Sequence, residues 1–122
     1  MQQVTRPPLA DGEVYLGGRI DKNGDIEHSV AIGFTDKRMS QEEQREWAKS
    51  LGGVLMNRYE GLVIYNEHRD LVKEAAYWTD DEVEWDSEYA WFQGFYYGAQ
   101  YYSHKSAALR AVAVRRFIPS VI

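Results

Sequence analysis

Three histidines, His28, His68 and His104, and a run of acids at Asp80, Asp81, Glu82, Glu84, Asp86 and Glu88 are the residues with which this chain could do chemistry. There is no cysteine, so disulfides, thiolate zinc sites and a cysteine nucleophile are excluded. The histidines lack the H-x-x-x-H spacing that sets two imidazoles on one helical face for zinc. Ser103 and His104 are neighbours in sequence, which does not make the three-role geometry of a nucleophilic triad. Gly17-Gly18 and Gly52-Gly53 lack the residues that follow in a phosphate-cradling loop. The acids suffice in number for a paired-carboxylate hydrolase, whose carboxyl spacing is set only by a fold. No site pattern points to one, and the expectation is a protein with neither enzymatic activity nor cofactor.

Metal binding is not expected either. Asp21-x-Asn23-Gly24-Asp25 has the start of a calcium loop, but the twelfth position, where a bidentate Glu is needed, is Ile32. Asn-Gly there reads as a hairpin turn. The acidic segment Asp80, Asp81, Glu82, Glu84 and Asp86 allows three readings: a solvated loop, a calcium site without a recognised ligand spacing, or a phosphate mimic for a basic partner.

The second chemical signal is aromatic. The chain has nine Tyr, four Trp and four Phe, and eleven of these rings fall between residues 77 and 102. Tyr96, Tyr97, Tyr101 and Tyr102, interleaved with Gln100, Ser103 and His104, have the composition of a paratope: large amphipathic rings among adaptable polar groups. Period-2 alternation implies that about half of them face inward. Trp78 and Trp91 are expected to anchor the core, whereas Trp85, inside the acidic segment, either tucks back or meets a partner. Arg110, Arg115 and Arg116 could grip an anionic glycan or phosphate, or be spent on ion pairs within the fold.

These residues need elements to position them. Two strands, 12–20 and 26–34, joined by the turn 21–25, read as a hairpin. Ser40 and Glu43 form a capping box that opens a helix over 40–51, closed by Gly52-Gly53. A second helix is expected over 57–73, with Asn57 as N-cap, Glu60 at N3, and Leu62, Val63, Tyr65 and Leu71 buried. Short strands follow at 77–79, 89–95, 100–103 and 109–117, with a turn at 96–99. Residues 1–11, with Pro7-Pro8, read as a tether before a single domain over 12–122. Strands, then helices, then strands is an α+β order.

Length and composition set the outer bounds. The 122 residues suit one domain, and 44% hydrophobic content excludes wholesale disorder. No apolar run is long enough to insert in a membrane, and Met1-Gln2-Gln3-Val4-Thr5-Arg6 shows no secretion signal. A net charge of −5 argues against direct nucleic-acid binding.

The C-terminal half resembles the Lcl C-terminal domain family, found in bacterial collagen-like adhesins and as small phage proteins. The resemblance rests on Tyr77-Trp78-Thr79, Ala90-Trp91-Phe92-Gln93-Gly94-Phe95, and Phe-Tyr-Tyr-Gly-x-Gln-Tyr-Tyr-Ser-His-Lys-Ser over 95–106, followed by the basic strand from Arg110. About forty residues carry it. Leu55-Met56-Asn57-Arg58 stands where the family has Leu-Pro-Thr-Arg, and Val112 stands where it often has Arg. The resemblance implies a C-type-lectin-like α+β fold, with two helices packed beside small antiparallel sheets and a ligand face built from late loops and strands. The enzymatic branch of that fold depends on cysteines, which are absent here.

The expected function is a phage-encoded, non-enzymatic recognition module. Its partner would be a host protein or a surface glycan, bound through Trp85, Tyr96, Tyr97, Gln100, Tyr101, Tyr102, Ser103 and His104. The alternative is an intracellular effector that inhibits a host protein through Asp80, Asp81, Glu82, Glu84 and Asp86. The expected location is the host cytoplasm or the virion, and residues 1–11 are too short for an oligomerisation stalk.

Overall fold

The structure, a computed structural model, describes residues 7–118. In chain order its elements are β1 (Val14–Ile20), β2 (Ile26–Met39), α1 (Gln41–Ser50), β3 (Val54–Leu55), α2 (Arg58–Glu67), a short 3₁₀ segment (Arg69–Leu71), β4 (Ala76–Val83), β5 (Asp86–Gly94), β6 (Gln100–His104) and β7 (Leu109–Phe117). The fold is therefore α+β, with two helices and one seven-stranded sheet.

The first hairpin forms as expected. The Asp21 carboxylate accepts from the backbone N–H groups of Asn23 and Asp25, and Gly24 takes a left-handed φ of 83°. Those carboxylate bonds close the turn. Both capping boxes are present: Ser40 with Glu43 on α1, and Asn57 with Glu60 on α2. Each N-cap contributes about 1 kcal/mol to its helix.

Where several small antiparallel sheets were expected, the strands join in one sheet in the order β1-β2-β7-β4-β5-β6. The cause is β7. It pairs antiparallel with β2 on one side. On the other it pairs parallel with β4 near Ala111 and antiparallel with β3 near Val114. A strand covered on both faces should be apolar throughout, and here Ala111 and Ala113 pack with Ala48 of α1, Val112 and Val114 with Ile64 of α2, and all four are fully buried. Trp78, Tyr77 and Phe95 fill the space around them, so Trp78 anchors the core as expected.

The second helix is shorter than expected. It stops at Glu67, and His68 leads into the 3₁₀ segment. Its buried stripe is Glu60, Gly61 and Ile64, while Leu62 and Leu71 are exposed. Gly61 explains the phase, because a Cβ there would lie 3.1 Å from Gln93 on β5. The helix approaches the sheet on its glycine, which turns Leu62 outward.

Of the expected tether, residues 1–6 lie outside the described residues. From Pro7 the chain lies on the domain: Pro7 is buried, and the Arg115 guanidinium donates to the Pro8 carbonyl at 3.1 Å and to Glu13 at 3.1 Å.

The basic strand β7 spends its charges inside the fold. Besides Arg115–Glu13, Arg110 lies 3.9 Å from Asp36, and Arg116 forms a bidentate pair with Glu60, at 2.8 and 2.7 Å. Burial alone pushes the Glu60 carboxyl up, but hydrogen bonds from Arg116 and Ser29 bring it below the usual carboxylate value. Arg116→Met should cost about 3–5 kcal/mol near neutral pH, because it strands a buried carboxylate. A depressed carboxylate pKa gives stability that is complete above the unfolded value of about 4.3 and lost as pH falls through the folded value. Urea melts of the two proteins should thus differ most near neutrality and converge in acid. Equal stability near neutrality would show that the pair does not anchor α2.

Candidate functional site

The acidic segment is not a loop. β4 runs through Val83, the chain turns at Glu84 and Trp85, and β5 begins at Asp86. Three consecutive acids of β4 reach different partners. Asp80 takes the Arg45 side chain of α1 at 2.6 Å. The Asp81 carboxylate accepts from the backbone N–H of Arg58, the first residue of α2, at 2.9 Å. Glu82 pairs with Lys105 at 2.6 Å, and the hydrogen bond from that lysine lowers the Glu82 pKa. Alternation along β4 accounts for this: Asp80 and Glu82 share one face, where Arg45 pairs with Asp80 and also lies near Glu82, and Asp81 points to the other. Asp86 accepts from the Glu88 N–H at 3.0 Å, and Glu84 is exposed. Among the described residues, no group of three or more His, Asp or Glu is placed to hold a metal ion.

The rings come together on β5 and β6. In an antiparallel pair, directly opposed residues share a face. Trp91 opposes Tyr102, and Tyr89 opposes His104. Their rings meet edge to face, with centroids 5.4 Å apart for Trp91–Tyr102 and 5.5 Å for Tyr89–His104. Tyr89 also meets Tyr102 at 6.0 Å. Trp85 reaches in from the β4–β5 turn and packs edge-on against Trp91 at 6.1 Å and Tyr102 at 5.6 Å. It remains 65% exposed. Tyr101 lies flat on Tyr102, with centroids 4.6 Å apart and planes 11° apart, and is 59% exposed. A hydrogen bond with Tyr101 is the main reason the Tyr102 phenol is pushed up from its usual pKa, and the Tyr101 charge adds to it. The Ser106 hydroxyl and backbone N–H both reach His104 Nδ1, at 2.7 and 3.2 Å, and Nε2 lies 3.8 Å from Glu88.

One end of the face is closed by α2. The Arg58 guanidinium lies 3.9 Å above the Trp91 ring and donates to the Gln100 side-chain oxygen at 2.9 Å. Gln100 in turn donates to the Arg58 carbonyl at 2.7 Å and to Gln93 at 2.9 Å. Trp91 is thus not the core residue its strand position suggests. It is half-buried, and its face is occupied by a cation.

The expected site residues therefore divide. Trp85, Tyr102 and His104 belong to one aromatic face, and Tyr101, which opposes Phe92 in the register, joins it by laying its ring on Tyr102. Gln100 is spent on holding Arg58. Ser103 opposes Ala90, on the far side of the sheet from Tyr102. Tyr96 and Tyr97 are exposed at the β5–β6 turn, at the opposite end of β6 from His104. That turn is pinned by Gly98, with φ 78°, where a Cβ would come within 2.5 Å of the Tyr65 ring of α2.

Three members of the face were not expected as site residues: Tyr89, Trp91 and Arg58. The alternation of Tyr89 and Trp91 against Ala90 and Phe92 carried the signal for the first two. Nothing local marks Arg58. Neither a scan against protein-family models nor a search of curated proteins finds a match to this chain. No helix among the described residues is long and apolar enough to cross a membrane.

Arg58→Ala should cost about 1–2 kcal/mol, the sum of one cation–π contact and one charged hydrogen bond at a half-exposed site. Trp91 emission should shift to the red as its ring gains water. Unchanged stability and emission would show that Arg58 does not order the face.

Proposed function

We propose that the chain is a non-enzymatic recognition module that binds a host protein or a surface glycan through the aromatic face of β5 and β6. The observation that carries this reading is Trp85. It is a large ring, mostly in solvent, yet fixed by perpendicular packing on Trp91 and Tyr102. An exposed aromatic that is already ordered binds at low entropic cost, which is the property of interface hot spots. Tyr101 extends the same surface. The resemblance to the Lcl C-terminal domains supports a C-type-lectin-like fold and a phage origin, and two helices beside an antiparallel-rich sheet agree with that fold.

The alternative, an effector acting through its acids as a phosphate mimic, draws less support. Asp80, Asp81 and Glu82 are committed to Arg45, the α2 N-terminus and Lys105.

The test is a Trp85→Ala, Tyr101→Ala double variant. Both residues are exposed, so stability should fall by about 1 kcal/mol or less. Stoichiometric capture of a partner from bacterial cytosol or envelope fractions, or of an oligosaccharide on a glycan array, should be lost. Capture that persists in the double variant would place recognition elsewhere.

A further inference from the structure

We infer that the aromatic face takes a cationic side chain, so that its partner is a protein presenting a basic segment, with Arg or Lys seated on Trp85. This rests on the reading of the face as a recognition surface and names what it recognises.

Two observations carry it. The first is internal. The face already holds one guanidinium, that of Arg58, 3.9 Å above Trp91, with a side-chain amide completing its hydrogen bonds. The electron-rich face of an indole attracts a planar cation, and more strongly than a Tyr or Phe ring does. Trp85 repeats this chemistry one ring further out, with most of its surface open.

The second is charge. From Ala76 to His104 the chain has six acids and no Lys or Arg. Three of those acids are turned to α1, α2 and Lys105. The other three, Glu84, Asp86 and Glu88, flank Trp85 in sequence at the start of β5. Glu84 has no ion pair or hydrogen bond among the described residues. Among the described residues the Glu88 carboxylate meets only His104, at 3.8 Å, and its side chain is 76% exposed. An Arg or Lys brought to Trp85 would meet both a π face and unspent carboxylates. An anionic glycan would meet like charge, and a neutral one would leave these acids idle.

The perpendicular rings argue the same way. Trp85 stands at 89° to Tyr102, whereas Tyr101 lies within 11° of it, so the two exposed rings do not form one flat platform. They make a corner, which suits an inserted side chain better than a row of stacked sugar rings.

The test uses the full chain, isotopically labelled, with the Trp85 indole N–H followed by NMR. The probes are a soluble hexapeptide alternating Arg with Ser, the same peptide with Lys, Gln or Glu in place of Arg, and a neutral N-acetylglucosamine trimer. The Arg and Lys peptides should move the Trp85 signal saturably and bind roughly tenfold or more tightly than the Gln peptide. Added salt should weaken them. A Glu84→Gln, Glu88→Gln variant, which keeps every ring, should lose roughly threefold to tenfold for the Arg peptide.

If the Gln peptide, the Glu peptide or the trimer binds as well as the Arg peptide, the cation inference fails and the face remains a recognition surface. If the Arg peptide leaves Trp85 unmoved up to low-millimolar concentration, the inference also fails. Partner capture by the Trp85→Ala, Tyr101→Ala variant then decides separately whether the face binds anything.

Discussion

The arrangement of this protein depends on one buried carboxylate. Glu60 is 1% exposed, and its oxygens accept from the Asn57 backbone N–H and from two nitrogens of Arg116. The first of these bonds closes the capping box, which fixes where α2 begins. The other two fix where that beginning sits against β7. A hydrophobic pair of equal volume could match the ion pair in stability. It could not cap the helix or set its phase. With the phase set, Gly61 meets β5, the Arg58 N–H meets Asp81, and the Arg58 guanidinium meets Trp91. The order of the exposed face is thus inherited from a charge pair in the interior.

The same economy governs the acids of β4. A regular strand would send Asp80 and Glu82 to one face and Asp81 to the other. The partners stand accordingly, Arg45 and Lys105 on the side of Asp80 and Glu82 and the α2 N-terminus on the side of Asp81, so three carboxylates reach three different elements. None of these bonds need be strong to matter. Exposed pairs such as Glu82–Lys105 contribute about 1 kcal/mol or less each. Their effect is positional: they join α1, the start of α2 and the turn before β7 to one strand. The acids that β4 does not use, at the start of β5, are left to set the charge of the surface.

What the sequence made legible, and what it did not, follows the distance over which each interaction acts. The hairpin at Asp21–Gly24, the two capping boxes and the alternation of β7 rest on residues within a few positions of each other, and all are present. The end of α2, the length of β4 and the single sheet rest on partners far away. Asp80 and Arg45 are 35 residues apart, Arg58 and Gln100 are 42 apart, and Glu60 and Arg116 are 56 apart. A run of acids looks like a solvated loop until those partners are known. Trp91 departs from its expected core position for the same reason: its alternation is that of a half-buried strand, and only Arg58 reveals what covers its ring. For the site, Trp85, Tyr101, Tyr102 and His104 were legible from composition, whereas their division from Tyr96, Tyr97 and Gln100 needed the β5–β6 register.

The position of the rings in the sheet explains why they cluster at all. α2 lies on β5 near Gln93, where Gly61 permits close approach, and β6 is the outermost strand. Beyond the reach of α2, β5 and β6 shield their own backbone on this face, and large opposed rings do this by packing edge to face. Tyr102 is the centre of that packing: Trp85, Trp91 and Tyr89 stand against it at steep angles, and Tyr101 lies on it. A change at Tyr102 therefore disturbs four neighbours at once and mixes stability with recognition. Trp85 and Tyr101 stand at the rim. Each leans on Tyr102 with one surface and offers the rest to solvent. The cluster thus separates rings that hold the outer strands together from rings left open to a partner, and the division follows from covering a sheet edge with aromatic side chains alone.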